Sequence, residues 1–396
     1  REIEDDSSRS RALIAMAERL PELWPETLTI VREIEDDSSR SSALIAMAEY
    51  LPELWPEALA IVREIEDDFS RLSALIAMAE YLPELWLEAL AIASETKEDL
   101  YRAVALQLLA EHLPDVMWPE ALAIVREIEN DSYRSSALSA MAEHLPEALW
   151  LEALAITREI EGDSSRSSTL SAMVEHLPEA LWPEALTIVR EIENDSYRSS
   201  ALSAMAEYLP ELWPEALAIV REIEDDYSRS SALSAMAEHL PEALWLEALA
   251  ITRDIKDDSS RSSALSAMAE HLPEALWLEA LAIIRDIKDD YSRSSALSAM
   301  AEHLPTNLIS TAIAMIWDMQ DNYFRAKALQ AFLPALEHLS IPFPEWAKTL
   351  DIIAYQDRSE LLEALPDIRP IVTRLGDDNT FPAILQAVRD VCQQWP

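Results

Sequence analysis

Six histidines stand at one recurring position of this 396-residue chain, His112, His144, His176, His239, His271 and His303, where other copies of the same unit carry Arg19, Tyr50, Tyr81 and Tyr208. Imidazoles in a row suggest a metal or a proton relay. A metal needs its ligands within a few ångströms, however, and equivalent positions on stacked hairpins lie about two helix widths apart. The column is therefore expected to hold partly exposed side chains near the negative end of a helix. Ser262, Ser263 and Ser266 recur with the unit and sit in no nucleophile pattern, and Cys392 has no histidine near it in sequence. Gly162 and Gly376 are the only glycines, so neither GxxxxGK nor GxGxxG can be written. The expectation is a non-enzyme without catalytic, cofactor or metal residues.

The elements that carry these columns are helices. In the unit Arg253 to Ile284, Asp257, Asp258, Ser259 and Ser260 are helix-capping residues. Ala264, Leu265, Met268 and Leu272 then form one helical stripe, with Arg261, Ser262, Ser266 and Glu270 off it. Pro273 ends that helix, and the spacing predicts a second one from Pro273-Glu274 through Trp277, Ala280, Leu281, Ile284 and Ile287. Copies begin at Arg1, Arg32, Arg63, Ser94, Arg126, Arg158, Arg190, Arg221, Arg253 and Arg285, so the period is 31 or 32 residues. The extra residue falls in the hairpin turn, Leu-Pro-Glu-Leu-Trp against Leu-Pro-Glu-Ala-Leu-Trp. A hairpin that buries its stripes only against its neighbours makes a solenoid. The expected fold is an all-α superhelical solenoid of about 10 to 12 TPR-like antiparallel hairpins: tandem repeats over 1–316, then diverged repeats and a C-terminal helical cap over 317–396.

Composition narrows the partners. With 74 acidic against 31 basic residues, the net charge of -43 repels nucleic acid and anionic membrane, whose phosphates need clustered Lys and Arg. A protein or peptide, basic in character, is the compatible ligand. No apolar run is long enough to span a membrane, and one cysteine excludes an internal disulfide and points to the reducing cytoplasm.

Four columns persist. Trp150, Trp182, Trp213, Trp245 and Trp277 mark second helices and are expected in the packing. Arg134, Arg166, Arg198, Arg229, Arg261 and Arg293 lie at the start of first helices, where a cation opposes the helix pole. Pairing with the acidic junctions would favour them there. Those junctions, such as Glu224-Asp225-Asp226, read either as solvated caps or as an edge that docks a basic partner through residues such as Asp225 and Asp226. Just before the arginine, some copies place an aromatic residue, including Phe69, Tyr133, Tyr197, Tyr227 and Tyr291. Aromatic side chains spaced along an edge suit the gripping of a protein partner.

The chain starts inside the repeat frame, as a piece of a longer protein would. Its tail carries Arg358-Ser359-Glu360-Leu361-Leu362, Leu365-Pro366, Leu375-Gly376 and a closing Trp395-Pro396, and its repeats carry Arg-x-x-Ala-Leu. In these features it resembles the C-terminal helical-repeat arrays of cyanobacterial STAND-type (NACHT or NB-ARC) signalling proteins. The resemblance implies a sensor array behind an upstream ATPase and effector, which would be a partner in the same polypeptide. The other expectation is a spacer or self-assembling array, whose exposed end hairpin would allow end-to-end self-association.

Overall fold

The computed structural model describes residues 5–17, 24–47, 54–208, 212–336 and 379–394, together with Pro366, Arg369, Val372 and Thr373. Among them the regular structure is helical, without a strand, and no helix is long and apolar enough to cross a membrane. The chain forms two compact units, Arg1–Tyr197 and Arg198–Pro396.

Each unit is a stack of the expected hairpins. In the second, first helices run Asp226–Met236, Asp258–Met268 and Asp290–Met300, alternating with second helices Trp245–Asp254 and Trp277–Asp286. The first unit repeats the pattern with Asp37–Met47, Asp68–Ala79, Asp99–Ala110, Asp131–Met141 and Asp163–Met173 as first helices. Neighbouring first helices pack along their length, whereas neighbouring second helices touch at fewer points.

Local sequence sets the ends. Asp67, Asp225, Asp257 and Asp289 are extended N-cap residues, each accepting from the backbone N–H of the serine three positions on. That hydrogen bond satisfies one of the orphan donors of the first turn. The second helix does not start at the proline. Pro273 precedes a 3₁₀ turn, Glu274–Leu276, and the α-helix begins at Trp277. Proline fits here because the turn needs the carbonyl of Pro273, which accepts from the N–H of Leu276, and needs no N–H of its own. The same 3₁₀ turn recurs as Glu147–Leu149, Glu179–Leu181 and Glu242–Leu244, all in 32-residue copies.

The apolar stripes meet inside each hairpin and between hairpins. Trp150, Trp182, Trp213, Trp245 and Trp277 are at most 5% exposed, and Ala264, Leu265, Met268, Leu281 and Ile284 are buried with them. Ser262, expected off the stripe, is buried as well, for a reason that lies in the next repeat. The tail signatures Arg358 to Leu362, Leu375-Gly376 and Trp395-Pro396 lie outside the described residues. Of the span 317–396, the described helices are Asn322–Leu336 and Thr380–Gln394.

Candidate recognition edge

The arginine column resolves into a three-way junction. Arg261 donates from Nε to the carbonyl of Ile255 at 2.8 Å, and its Nη1 lies 3.4 Å from the Asp258 carboxylate. Ile255 is the C-cap of the preceding second helix. The guanidinium that seemed misplaced at one helix start therefore sits on the negative end of another. Arg134, Arg166, Arg229 and Arg293 do the same with Ile128, Ile160, Ile223 and Ile287. Arg134 and Arg166 also reach the carbonyls of Glu159 and Glu191, one repeat further on. Arg198 occupies the corresponding place in the helix Asp195–Met205 and is half-buried.

The aspartate of that junction faces the next repeat. Asp226 Oδ2 accepts the N–H groups of Lys256 and Asp257 at 2.9 and 2.7 Å while its Oδ1 lies 3.6 Å from Arg229. Asp258 and Asp37 bind the following junctions in the same way. One turn later the buried serine repeats the link: Ser230 donates to the carbonyl of Ser260, Ser262 to Ser292, and Ser41 to Ser70, each at 2.7 Å. Aspartate and serine four positions apart share a helix face, so each first helix fastens the next at two points. The Asp225 carboxylate serves the cap, which holds it below the usual carboxylate range through its side-chain and backbone hydrogen bonds with Ser228.

A second ladder runs along the second helices. Arg126 reaches both Glu152 and Glu159 of the next repeat, at 3.4 and 3.2 Å. Arg158 reaches Glu184 at 3.5 Å and Glu191 in the same way. Arg63 grips Glu88 with two hydrogen bonds of 2.9 and 2.7 Å, which lowers the Glu88 pKa. Arg221–Glu247 and Arg253–Glu279 continue the pattern in the second unit, at 3.1 and 2.8 Å. The signal was present as an arginine followed 26 and 33 residues later by glutamate. A rung is missing where the fourth copy starts with Ser94 in place of arginine. Among the described residues, no hydrogen bond or ion pair reaches the carboxylates of Glu120 and Glu127, which stand at those offsets from Ser94.

The aromatic residues form two columns rather than one. Tyr101, Tyr133, Tyr197 and Phe324 immediately precede the arginine, whereas Phe69, Tyr227, Tyr291 and Tyr323 stand two before it. One residue turns a helix by about 100°, and the outer column is the more open, with Tyr227 at 74% and Tyr291 at 54% exposure. Rings from neighbouring repeats meet where the columns adjoin: Phe69 lies 6.3 Å from Tyr101, and Tyr291 lies 5.5 Å edge-on from Phe324. Tyr133 and Tyr197 instead wall two equivalent clefts between junctions, of about 650 and 510 Å³. The larger is also lined by Leu100, Glu98, Glu127 and Glu129, the smaller by Glu161, Glu191 and Glu193.

The histidine column stays on the outside. His144, His176, His239, His271 and His303 are exposed at the ends of first helices. His112 stacks at 6.2 Å on Trp86 of the preceding hairpin, and Tyr81 lies tilted by 37° at 6.0 Å from Trp55. Among the described residues no three His, Cys, Asp or Glu side chains come together as a metal site.

No protein-family model and no curated protein matches the chain. It is similar in structure to Kap121p bound to Nup53p, with a TM-score of 0.66, 15% identity, and 96% of this chain matched to 48% of that one. A crystal structure of Kap121p gives the same figures. Kap121p bound to Pho4p gives a TM-score of 0.51 at 12% identity over 98% of this chain and 53% of that one. The chain spans about half the length of the solved chains it matches, and at such identity the likeness is one of fold: an all-α solenoid of helical hairpins.

Proposed function

We propose that this chain is a non-catalytic scaffold for recognising a protein or peptide, acting in the cytoplasm as the sensor array of a larger STAND-type signalling protein. The observation that carries the reading is the division of labour among the polar columns. Asp226, Asp258, Arg229, Arg261 and Ser262 are spent on fastening one repeat to the next, while tyrosines at the same helix starts are left projecting, Tyr227 at 74% and Tyr291 at 54% exposure. Rings this exposed leave most of their surface outside the packing of the repeats, and they are the side chains that dominate protein interfaces. Solved chains of similar fold, named as Kap121p bound to Nup53p and to Pho4p, support a partner of protein nature. A charge of -43 favours a basic one over nucleic acid or membrane. In the STAND setting, an upstream domain of the same polypeptide would answer to occupancy of the array.

The reading is tested by incubating the immobilised chain with lysate of the cell that encodes it. A protein retained at 1:1, and lost with the Tyr227→Ala/Tyr291→Ala double variant, supports it. Empty beads, together with a concentration-independent monomer in light scattering, would favour the spacer; mass growing with concentration would favour end-to-end assembly.

A further inference from the structure

We infer that the cleft between the fourth and fifth junctions is a slot for an arginine side chain of a basic partner segment, a site that deepens and rests on the recognition reading above. Two of its lining residues, Leu100 and Tyr133, carry apolar side-chain surface. Leu100, 43% exposed, replaces the serine found at the same place in the next two copies. Tyr101, the neighbour of Leu100 in sequence, lies ring to ring with Phe69 of the preceding repeat at 6.3 Å, the two being 45% and 38% exposed.

What the cleft lacks, beside its smaller equivalent, is the arginine of the preceding second helix. In the smaller, equivalent cleft, the Glu191 carboxylate is taken by Arg158 from the preceding second helix. In the larger one, Glu127 stands at the corresponding place, but the residue that would reach it is Ser94. Glu98 and Glu129 line the same space, and among the described residues neither side chain makes a hydrogen bond or ion pair. Arg102, which also lines the cleft, donates from its two Nη atoms to the carbonyls of Thr96 and Glu127 and lies 3.6 Å from Asp99, while its buried Nε has no partner among the described residues. The exposed Lys97 is at the rim and works against an incoming cation.

The vacancy fits a guanidinium better than an ammonium. A planar fork can pair with Glu127 and lie on the Tyr133 ring at once, whereas an ammonium is a point charge that keeps its water. Ser94 and Leu100, two of the changes that set the fourth copy apart, thus both bear on this cleft and open it to a partner's arginine.

The test uses the whole 396-residue chain and a capped hexa-arginine peptide, with capped hexalysine beside it, by calorimetry at 150 mM salt, where diffuse attraction is screened. Hexa-arginine should bind more tightly than hexalysine. Ser94→Arg, which supplies the missing rung from within, should weaken it at least tenfold, and Glu127→Gln several-fold. Lys97→Glu should tighten it. Glu191→Gln, whose carboxylate is already occupied, should change it less than twofold. The site is refuted if hexa-arginine does not bind, or if Ser94→Arg and Glu127→Gln weaken it no more than Glu191→Gln does. Should Ser94→Arg disturb folding by circular dichroism, Glu127→Gln alone decides. Refutation here with lysate capture intact leaves the recognition reading standing, and the converse result removes that reading while keeping the slot.

Discussion

The carboxylate of Asp258 accepts the backbone N–H of Lys288 at 2.8 Å, thirty residues further along the chain. The same oxygen takes the N–H of Asp289 at 3.0 Å, and the other carboxylate oxygen lies 3.4 Å from Arg261. A single side chain thus joins the end of one second helix, the start of its own first helix and the next junction. Replacing it by alanine should cost about 2 kcal/mol, since charge-assisted hydrogen bonds are lost at a partly exposed site. Asparagine, which keeps one acceptor oxygen, should cost about half as much. Amide hydrogen exchange checks this residue by residue: protection at Lys288 and Asp289 should fall first, before that of helices two repeats away.

Trp150 is 2% exposed at the first position of its helix. Trp150→Ala should destabilise by about 3 to 5 kcal/mol, as expected for a large aromatic side chain removed from a packed site. In a one-dimensional stack the loss is local. Denaturant unfolding should therefore split into two transitions instead of shifting as one.

Gly162 stands where neighbouring copies have Asn130 and Asn194, and its N–H donates to Asp131 at 2.7 Å just as theirs donate to Asp99 and Asp163 at 2.8 Å. Its backbone is ordinary, with φ of -71°, so no left-handed turn requires glycine here. Gly162→Asn should restore the cap that Asn130 makes with Ser132 and Tyr133 and reduce the freedom of the unfolded chain. A gain of about 0.5 to 1 kcal/mol is expected. A thermal melt that does not rise would mean that the Cβ, which meets the Asp131 carboxylate at 3.3 Å, is crowded.

Acid should loosen the caps. Asp257 is held below the ordinary carboxylate range by backbone and then side-chain hydrogen bonds with Ser260, and Asp225 likewise by Ser228. A carboxyl whose folded pKa lies below its unfolded value, about 3.9, contributes fully above pH 4 and loses that contribution as pH falls through the folded value. Thermal stability should thus decline below about pH 4. Asp257→Asn, an equally good cap that does not titrate, should match the parent at pH 6 and exceed it at pH 3.

The hairpins, their period and the turn that absorbs one extra residue were all legible in the sequence, because capping residues, proline and apolar spacing act locally. The polar columns were legible as columns but not as contacts. Ser262 was placed off the apolar stripe because a single helix gives no reason to bury it; the reason is the carbonyl of Ser292 in the next repeat. Arg261 was matched to acids, and Asp258 is indeed beside it, but its closest acceptor is the main-chain oxygen of Ile255, which no side-chain pattern encodes. The aromatic residues look like one position in the sequence because Tyr133 and Tyr227 each stand near an arginine. The offset of one residue sends Tyr133 into a cleft and Tyr227 outward. The arginine ladder of the second helices was missed because its partners lie a full repeat away.

The fastening of first helices bears on how the array finds its own order. The Asp226 and Asp258 links join stretches of nearly the same sequence, so the chemistry that fastens one hairpin to the next would serve almost as well for the hairpin after that. A chain of interchangeable links can close on the wrong neighbour while folding and satisfy most of its hydrogen bonds there. The fourth copy escapes this ambiguity. With Thr96 in place of the usual isoleucine, Lys97 where its neighbours have glutamate, and Ser94 without a rung to offer, it is a distinctive bead in an otherwise uniform string, from which correct order can be counted in both directions.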